Sequence, residues 1–154
     1  MTTPEERLQE LGVSLPAPAV PVAAYVPCVR TGSLVYVSGQ VPVVLDGKPS
    51  HLGHLGDNVD LEDGRAAART CAVNVLAALK AELGELSRVR RVVKVTGFVA
   101  STPDFTDHPK VINAASELFG DVFGDAGRHA RAAIGVAALP LGVPVEVEAI
   151  VEVA

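Results

Sequence analysis

The sequence predicts a single α+β domain in which a mixed β-sheet carries two helices on one face. Three observations lead to this class. Two segments have apolar residues at helical spacing, a strand-like run lies between them, and two further strand-like runs end the chain. The chain has 154 residues, of which 49% are hydrophobic and 20% are charged. This length and composition fit one globular domain with a buried core.

The chain opens with an additional short helix. Thr3-Pro4-Glu5-Glu6 has the pattern of a capping box with proline in the first turn, and Gly12 ends the helix. Residues 13–22 contain three prolines and are expected to form an extended strap across the surface. We therefore divide the chain into a helix and strap, residues 1–22, and a main domain, residues 23–154.

Three strands are predicted next, over residues 24–30, 33–38 and 41–44, which are rich in valine and tyrosine. Gly39-Gln40 interrupts the pattern between the second and third strands. Asp46-Gly47 is a tight-turn dipeptide that ends the third strand. Residues 48–59 are predicted to be a loop.

The first long helix is predicted from Asp60, with Asp63 three residues later, to Leu83. Its apolar stripe is Ala68, Ala72, Val75, Leu76, Leu79 and Leu83. A strand over 89–99 follows, in which Val93, Val95, Gly97 and Val99 are expected to face one way. The second helix begins near Asp107, ends at Gly124, and has the stripe Val111, Ala115, Leu118, Phe119 and Val122.

The last two runs are joined by a turn at Leu139-Pro140-Leu141-Gly142. In the second run, the odd positions from Val143 to Val153 are apolar, and three of the intervening positions are glutamates. In the first run, one side carries Arg131 followed only by small residues: Ala133, Gly135 and Ala137. If the two runs pair as neighbours, an arginine and a glutamate share a sheet face with little bulk. We expect the helices to leave this face of the sheet uncovered. A second copy of the chain, in a symmetric homo-oligomer, is then expected to cover it. The alternative is a sheet face that is open to water.

Composition excludes several functional classes. The net charge of −5 argues against a nucleic-acid partner. No apolar run is long enough to span a bilayer, and Cys28 and Cys71 match no disulfide or metal-site pattern, so a cytoplasmic protein with reduced thiols is expected. His51 and His54 are three residues apart but are interpreted as loop histidines, and no metal site is predicted.

An ordered set of short motifs resembles the Rid family, also called YjgF-like, whose members include enamine/imine deaminases. The motifs are Tyr25-Val26, Val37-Ser38-Gly39-Gln40-Val41-Pro42, Ile112-Asn113-Ala114, Ala130-Arg131, Leu139-Pro140 and Val145-Glu146-Val147-Glu148-Ala149-Ile150. The resemblance implies a chorismate-mutase-like homotrimer with sites between subunits. It also implies hydrolysis of reactive enamine or imine acids, such as 2-aminoacrylate, to a 2-keto acid and ammonia, without a metal or organic cofactor.

The resemblance also implies roles for individual residues. Arg131 would bind the substrate carboxylate, and Glu146 would hold or activate the water. The pocket would be lined by Tyr25, Ser38, Gly39 and Asn113. These residue types fit the chemistry, because a planar guanidinium can bind a carboxylate through two parallel hydrogen bonds and an imine needs a directed water and a proton source.

The chain departs from the family pattern close to the arginine. Members commonly have cysteine two residues after it and often glutamate four residues after it, where this chain has Ala133 and Gly135. His129 replaces a proline two residues before it. These changes indicate a divergent branch, and two alternatives stay open: a non-catalytic trimer that binds small carboxylates, and another small-acid enzyme on the same scaffold.

Without the resemblance, each candidate residue has a structural interpretation. Arg131 would be an interface arginine, Glu146 an exposed strand residue and Asn113 a solvent-facing helix residue. Tyr25 would be a core residue, and Ser38-Gly39 a strand bulge.

Overall fold

The computed structural model describes residues 1–18, 23–44 and 46–154, which form three helices, five strands and three short 3₁₀ turns. The helices are α1 (Pro4–Glu10), α2 (Leu61–Leu83) and α3 (His108–Phe123). The strands are β1 (Cys28–Thr31), β2 (Leu34–Gln40), β3 (Val89–Ala100), β4 (Ala130–Val136) and β5 (Val145–Val153). The predicted α+β class is confirmed.

The five strands form one sheet in the order β1-β2-β5-β3-β4. β3 and β4 pair in parallel and the other neighbouring pairs are antiparallel, which makes the sheet mixed. The parallel pair requires a crossover connection, and α3 provides it. β4 is therefore an edge strand, with β3 on one side.

Helices α2 and α3 pack on one face of the sheet and enclose the core. Both predicted apolar stripes are buried. The odd positions of β5 from Val145 to Val153 are also buried, so these side chains face the helices. Gly97 on β3 allows α3 to come close, because a Cβ there would collide with Ile112. No helix among the described residues is both long and apolar enough to cross a membrane.

Helix α1 is fixed to the main domain at its first turn and through Leu8. The predicted capping box is present, with Thr3 Oγ1 accepting from the Glu6 backbone N–H at 3.1 Å. Glu5 accepts hydrogen bonds from Lys80 Nζ at 3.0 Å and from the Leu86 backbone N–H at 2.7 Å, and Leu8 is buried in the core. Of the predicted strap, residues 19–22 lie outside the described residues.

The predicted third strand, residues 41–44, is wrong. Val43 makes only an isolated bridge to Pro49. Pro42 has no backbone N–H to donate to a ladder, and Asn74 on α2 donates its side-chain amide to the carbonyls of Val41 and Val43 at 2.9 and 3.1 Å. These two carbonyls therefore bond to a helix side chain and are not part of a sheet.

The last two strands, β4 and β5, do not pair with each other, so the arrangement considered for them in the sequence analysis is also wrong. β3 lies between β4 and β5, so the Leu139–Gly142 turn joins strands that do not pair. Arg131 and Gly135 pair in register with Val95 and Val99, both fully buried on the helix side. The small-residue face of β4 thus faces the helices, while Glu146, paired with Phe98, lies on the opposite, open face.

One further prediction, that Val93 shares a face with Val95, is wrong. The pairing of β3 with β5 shifts between Val92 and Lys94, where an irregularity in the strand reverses the alternation. Val92 is buried as a result, and Val93 is exposed.

Candidate functional site

The first group of candidate residues lies where the edge strand β4 meets α3. Arg131 Nη1 donates to Asn113 Oδ1 at 2.7 Å and to Ser116 Oγ at 3.2 Å. Within the described part of the chain, no protein atom accepts a hydrogen bond from Nε or Nη2. The second edge of the guanidinium is therefore available to a planar, two-oxygen ligand such as a carboxylate.

His129 forms a hydrogen bond with Ser116, the serine that accepts from Arg131. Its Nδ1 lies 2.7 Å from the Gly127 carbonyl oxygen, which can only accept, so Nδ1 carries a proton. In the neutral ring, Nε2 then accepts from Ser116 Oγ at 2.9 Å, and Ser116 Oγ in turn accepts from Arg131. Burial lowers the pKa of His129, and the positive charge of Arg131 lowers it further, against an opposing effect of the bond to Gly127. The neutral ring that this chain of bonds requires is thus favoured.

The second group lies at an irregularity of β2 opposite β5. The pairing of these strands shifts between Val37 and Gln40, which places Ser38 and Gly39 in a bulge. Ser38 Oγ donates to the Val26 carbonyl at 2.6 Å. The Glu146 carboxylate lies directly against Gly39, because a Cβ at position 39 would overlap Glu146 Oε2. Glycine at this position is what lets the carboxylate approach the bulge.

Glu146 differs in its environment from the other glutamates of β5. Burial raises its pKa, and the negative charge of Glu148 adds to the increase. Glu148 is itself exposed. A carboxyl group with a raised pKa can accept and return a proton closer to neutral pH than an ordinary glutamate can.

Tyr25 is not a core residue. Its side chain is 56% exposed, and it lies outside the strands in the segment that leads into β1. The next residue, Val26, is bound by Ser38, so this segment is fixed beside the bulge.

The structure thus brings the candidates together as two separate groups. Arg131 and Asn113 lie on the helix side of the sheet, and Ser38, Gly39 and Glu146 are grouped at the bulge, with the Glu146 side chain on the open face. Sequence reasoning missed Ser116, although its position three residues after Asn113 places both on the same side of α3.

Neither a metal site nor a reactive thiol emerges from the described residues. They contain no cluster of three metal-ligating side chains. His54 Nε2 lies 2.8 Å from the Ala137 carbonyl, and His51 contacts Ser50. Burial raises the pKa of Cys28 to about 11 and that of Cys71 well above its ordinary value, so neither thiol is suited to act as a nucleophile near neutral pH.

Comparison with known proteins gives consistent matches over nearly the whole chain. The family model described as "YjgF/chorismate_mutase-like, putative endoribonuclease" matches residues 5–152. Protein TCP17 of Trypanosoma cruzi is 49% identical and covers 94% of this chain and 91% of its own. A Salmonella typhimurium protein named 2-iminobutanoate/2-iminopropanoate deaminase is 37% identical, with 87% and 90% covered. The crystal structure of Atu1372 from Agrobacterium tumefaciens is 50% identical with a TM-score of 0.92, covering 98% of this chain and 92% of that one.

Proposed function

This chain belongs to the YjgF/chorismate-mutase-like family, whose α+β fold it shares, and we propose that it hydrolyses enamine and imine derivatives of small 2-keto acids. The products are the 2-keto acid and ammonia. The relative named for imine deamination supports this reaction class, and the net charge of −5 makes the chain a poor electrostatic match for RNA.

The observation that carries the proposal is the hydrogen bonding of the Arg131 guanidinium. One edge of its guanidinium is held by Asn113 and Ser116, and the other has no protein partner among the described residues. A guanidinium fork, meaning the parallel N–H donors of Nε and Nη2, is pre-organised for a carboxylate when Nη1 is already held in place, because the side chain loses little freedom when the ligand binds. Every enamine and imine acid of the proposed class has that carboxylate.

Glu146 supplies the proton transfers in the proposed reaction. The protonated Glu146 carboxyl first gives its proton to the β-carbon of the enamine, which becomes the iminium. The resulting carboxylate takes a proton from water as the water oxygen bonds to the iminium carbon and the electron pair of the carbon–nitrogen double bond moves to nitrogen. The same carboxyl gives this proton to nitrogen. It then takes the hydroxyl proton as the carbon–nitrogen bond breaks, ammonia leaves and the carbonyl forms, which restores the protonated carboxyl. The raised pKa of Glu146 supports both directions of transfer.

A homotrimer with sites between subunits is part of the proposal. The two groups of site residues lie on opposite sides of the sheet in one chain, so a neighbouring copy has to complete the site. The open face has exposed apolar side chains on three strands, at Val29, Tyr36 and Ile134. An exposed apolar face of this kind supports contact with another copy of the chain.

The test is the rate of ammonia release from 2-aminoacrylate generated in the assay mixture. We expect catalysis by the wild type, and a loss of roughly 10²–10⁴-fold in Glu146→Gln, because that variant cannot transfer the proton. Glu152→Gln is the matched control, since this glutamate lies on the same face of the same strand and is not among the charges that raise the pKa of Glu146. Carboxylate binding without any turnover by the wild type would contradict the proposal and favour a non-catalytic binding protein.

A further inference from the structure

A serine and a histidine that none of the site groups includes meet at the other end of β4. Ser101 follows β3, His108 begins α3, and Ser101 Oγ lies 3.1 Å from His108 Nε2. The pair lines an open cavity of about 420 Å³, together with Phe105, Pro103 and Gly135. The Phe105 ring packs against the His108 ring at 89°, with centroids 5.3 Å apart, and so restrains the imidazole.

The pair depends on glycine at position 135. A Cβ at this position would stand 2.5 Å from His108 Nε2 and 2.9 Å from Ser101 Oγ, closer than side chains approach each other. The φ of Gly135 is not in the left-handed region, so backbone conformation does not require glycine there. The space that Gly135 leaves is therefore occupied by the polar ends of Ser101 and His108.

This cavity and the Arg131 fork lie on the same face of β4 and along the same helix. Arg131, Ala133 and Gly135 alternate toward α3, with only a methyl group at the middle position. On α3, His108 precedes Asn113 by five residues, which is a rise of about 7.5 Å. An extended chain of five or six bonds advances about 1.25 Å per bond and covers roughly 6–7.5 Å, and the hydrogen bonds at its two ends add to this reach.

We propose that Ser101 and His108 bind a neutral hydrogen-bonding group, a hydroxyl or an amide, at the far end of a keto or imino acid of about five carbons. The inference rests on the proposed function, because it places the carboxylate of the same ligand at Arg131. A serine hydroxyl and an imidazole can each donate or accept, which suits a hydroxyl or an amide. The described residues that line the cavity include no arginine or lysine that could pair with a second carboxylate.

The test compares two acids that differ only in the terminal hydroxyl, pentanoate and 5-hydroxypentanoate, by calorimetric titration of the intact oligomer; neither has a ketone with which the hydroxyl could form a cyclic hemiketal. We expect wild type to bind the hydroxy acid about tenfold more tightly, as two hydrogen bonds allow. Ser101→Ala should bring the ratio of the two affinities close to one. Gly135→Ala should do the same, because its methyl group displaces His108.

Arg131→Lys tests the carboxylate site separately from the Ser101–His108 cavity. If it weakens both acids in the same proportion and the wild type still prefers the hydroxy acid, the cavity and the carboxylate site are both supported. Equal wild-type affinities for the two acids, or a preference that survives Ser101→Ala and Gly135→Ala, would overturn the cavity assignment alone. No binding of either acid, or binding that Arg131→Lys leaves unchanged, would overturn the carboxylate site and this inference with it.

Discussion

Replacing Arg131 with lysine keeps the positive charge and removes the fork. In the structure, Nη1 already donates to Asn113 and Ser116, so the proposed carboxylate site depends on the edge formed by Nε and Nη2. A lysine ammonium has no second parallel donor for the carboxylate. A hydrogen bond to a charged group contributes about 1.5–3 kcal/mol, so losing one should weaken binding of a small keto acid at least about tenfold.

The assay is calorimetric titration with 2-oxobutyrate at moderate salt, on variants that sedimentation shows to be assembled like the wild type. Arg128→Ala is the matched control, because this arginine lies three residues earlier in the chain. Arg131→Lys should approach the affinity of Arg131→Ala, and Arg128→Ala should stay near the wild type. If Arg131→Lys binds like the wild type, the fork is not the carboxylate site and Arg131 is a structural residue.

Three further predictions follow from the site. Gly39→Ala should reduce turnover more than it reduces 2-oxobutyrate binding, because the added methyl overlaps the Glu146 carboxylate; equal losses in both measurements would contradict this. Burial raises the pKa of Glu146 above its unfolded value, so the stability that its protonation contributes is present at low pH and is lost as pH rises through the folded pKa. The melting temperature of Glu146→Gln should therefore rise relative to wild type between about pH 4 and pH 7, and a constant difference would count against it. Burial lowers the pKa of His129, so the stability that its neutral ring contributes is present above the unfolded pKa and is lost as pH falls through the folded pKa. The melting temperature of His129→Gln should therefore fall less than that of the wild type between about pH 7 and pH 5; an equal fall would contradict this.

The helices and their ends could be predicted because their signals are local. Asp60 accepts from the Asp63 backbone N–H at 2.8 Å, and Gly84 and Gly124 end the two long helices where the sequence indicated. Each of these features depends on a few neighbouring residues whose types favour one backbone conformation.

The sheet order could not be read from the same kind of signal. β4 and β5 are consecutive in the chain, but β3 separates them, and nothing in their alternation records a strand inserted between them. The predicted orientation of the two faces of β4 is wrong for a related reason. Small residues on this strand face α3 because the helix packs very close to Gly97, whereas the larger Ile134 points to the open face.

The site was predictable only in part. The family motifs pointed to Arg131 and Asn113, and the structure shows that their side chains are bonded to each other. The support from Ser116 and His129 depends on the distance between α3 and β4, which is a tertiary property. The distribution of Arg131 and Glu146 over two sides of the sheet likewise appears only once the strand order is known.

The central claim is that one active site combines Arg131 of one chain with Glu146 of another. It is tested most directly by mixing Arg131→Ala and Glu146→Gln subunits, each inactive as a pure oligomer, in equal amounts and measuring ammonia release from 2-aminoacrylate. In random mixed oligomers, half of the sites have an intact arginine and half of those have an intact glutamate. Activity should therefore return to about a quarter of the wild-type value. Mixed oligomers of verified composition that stay as inactive as their parents would contradict the claim.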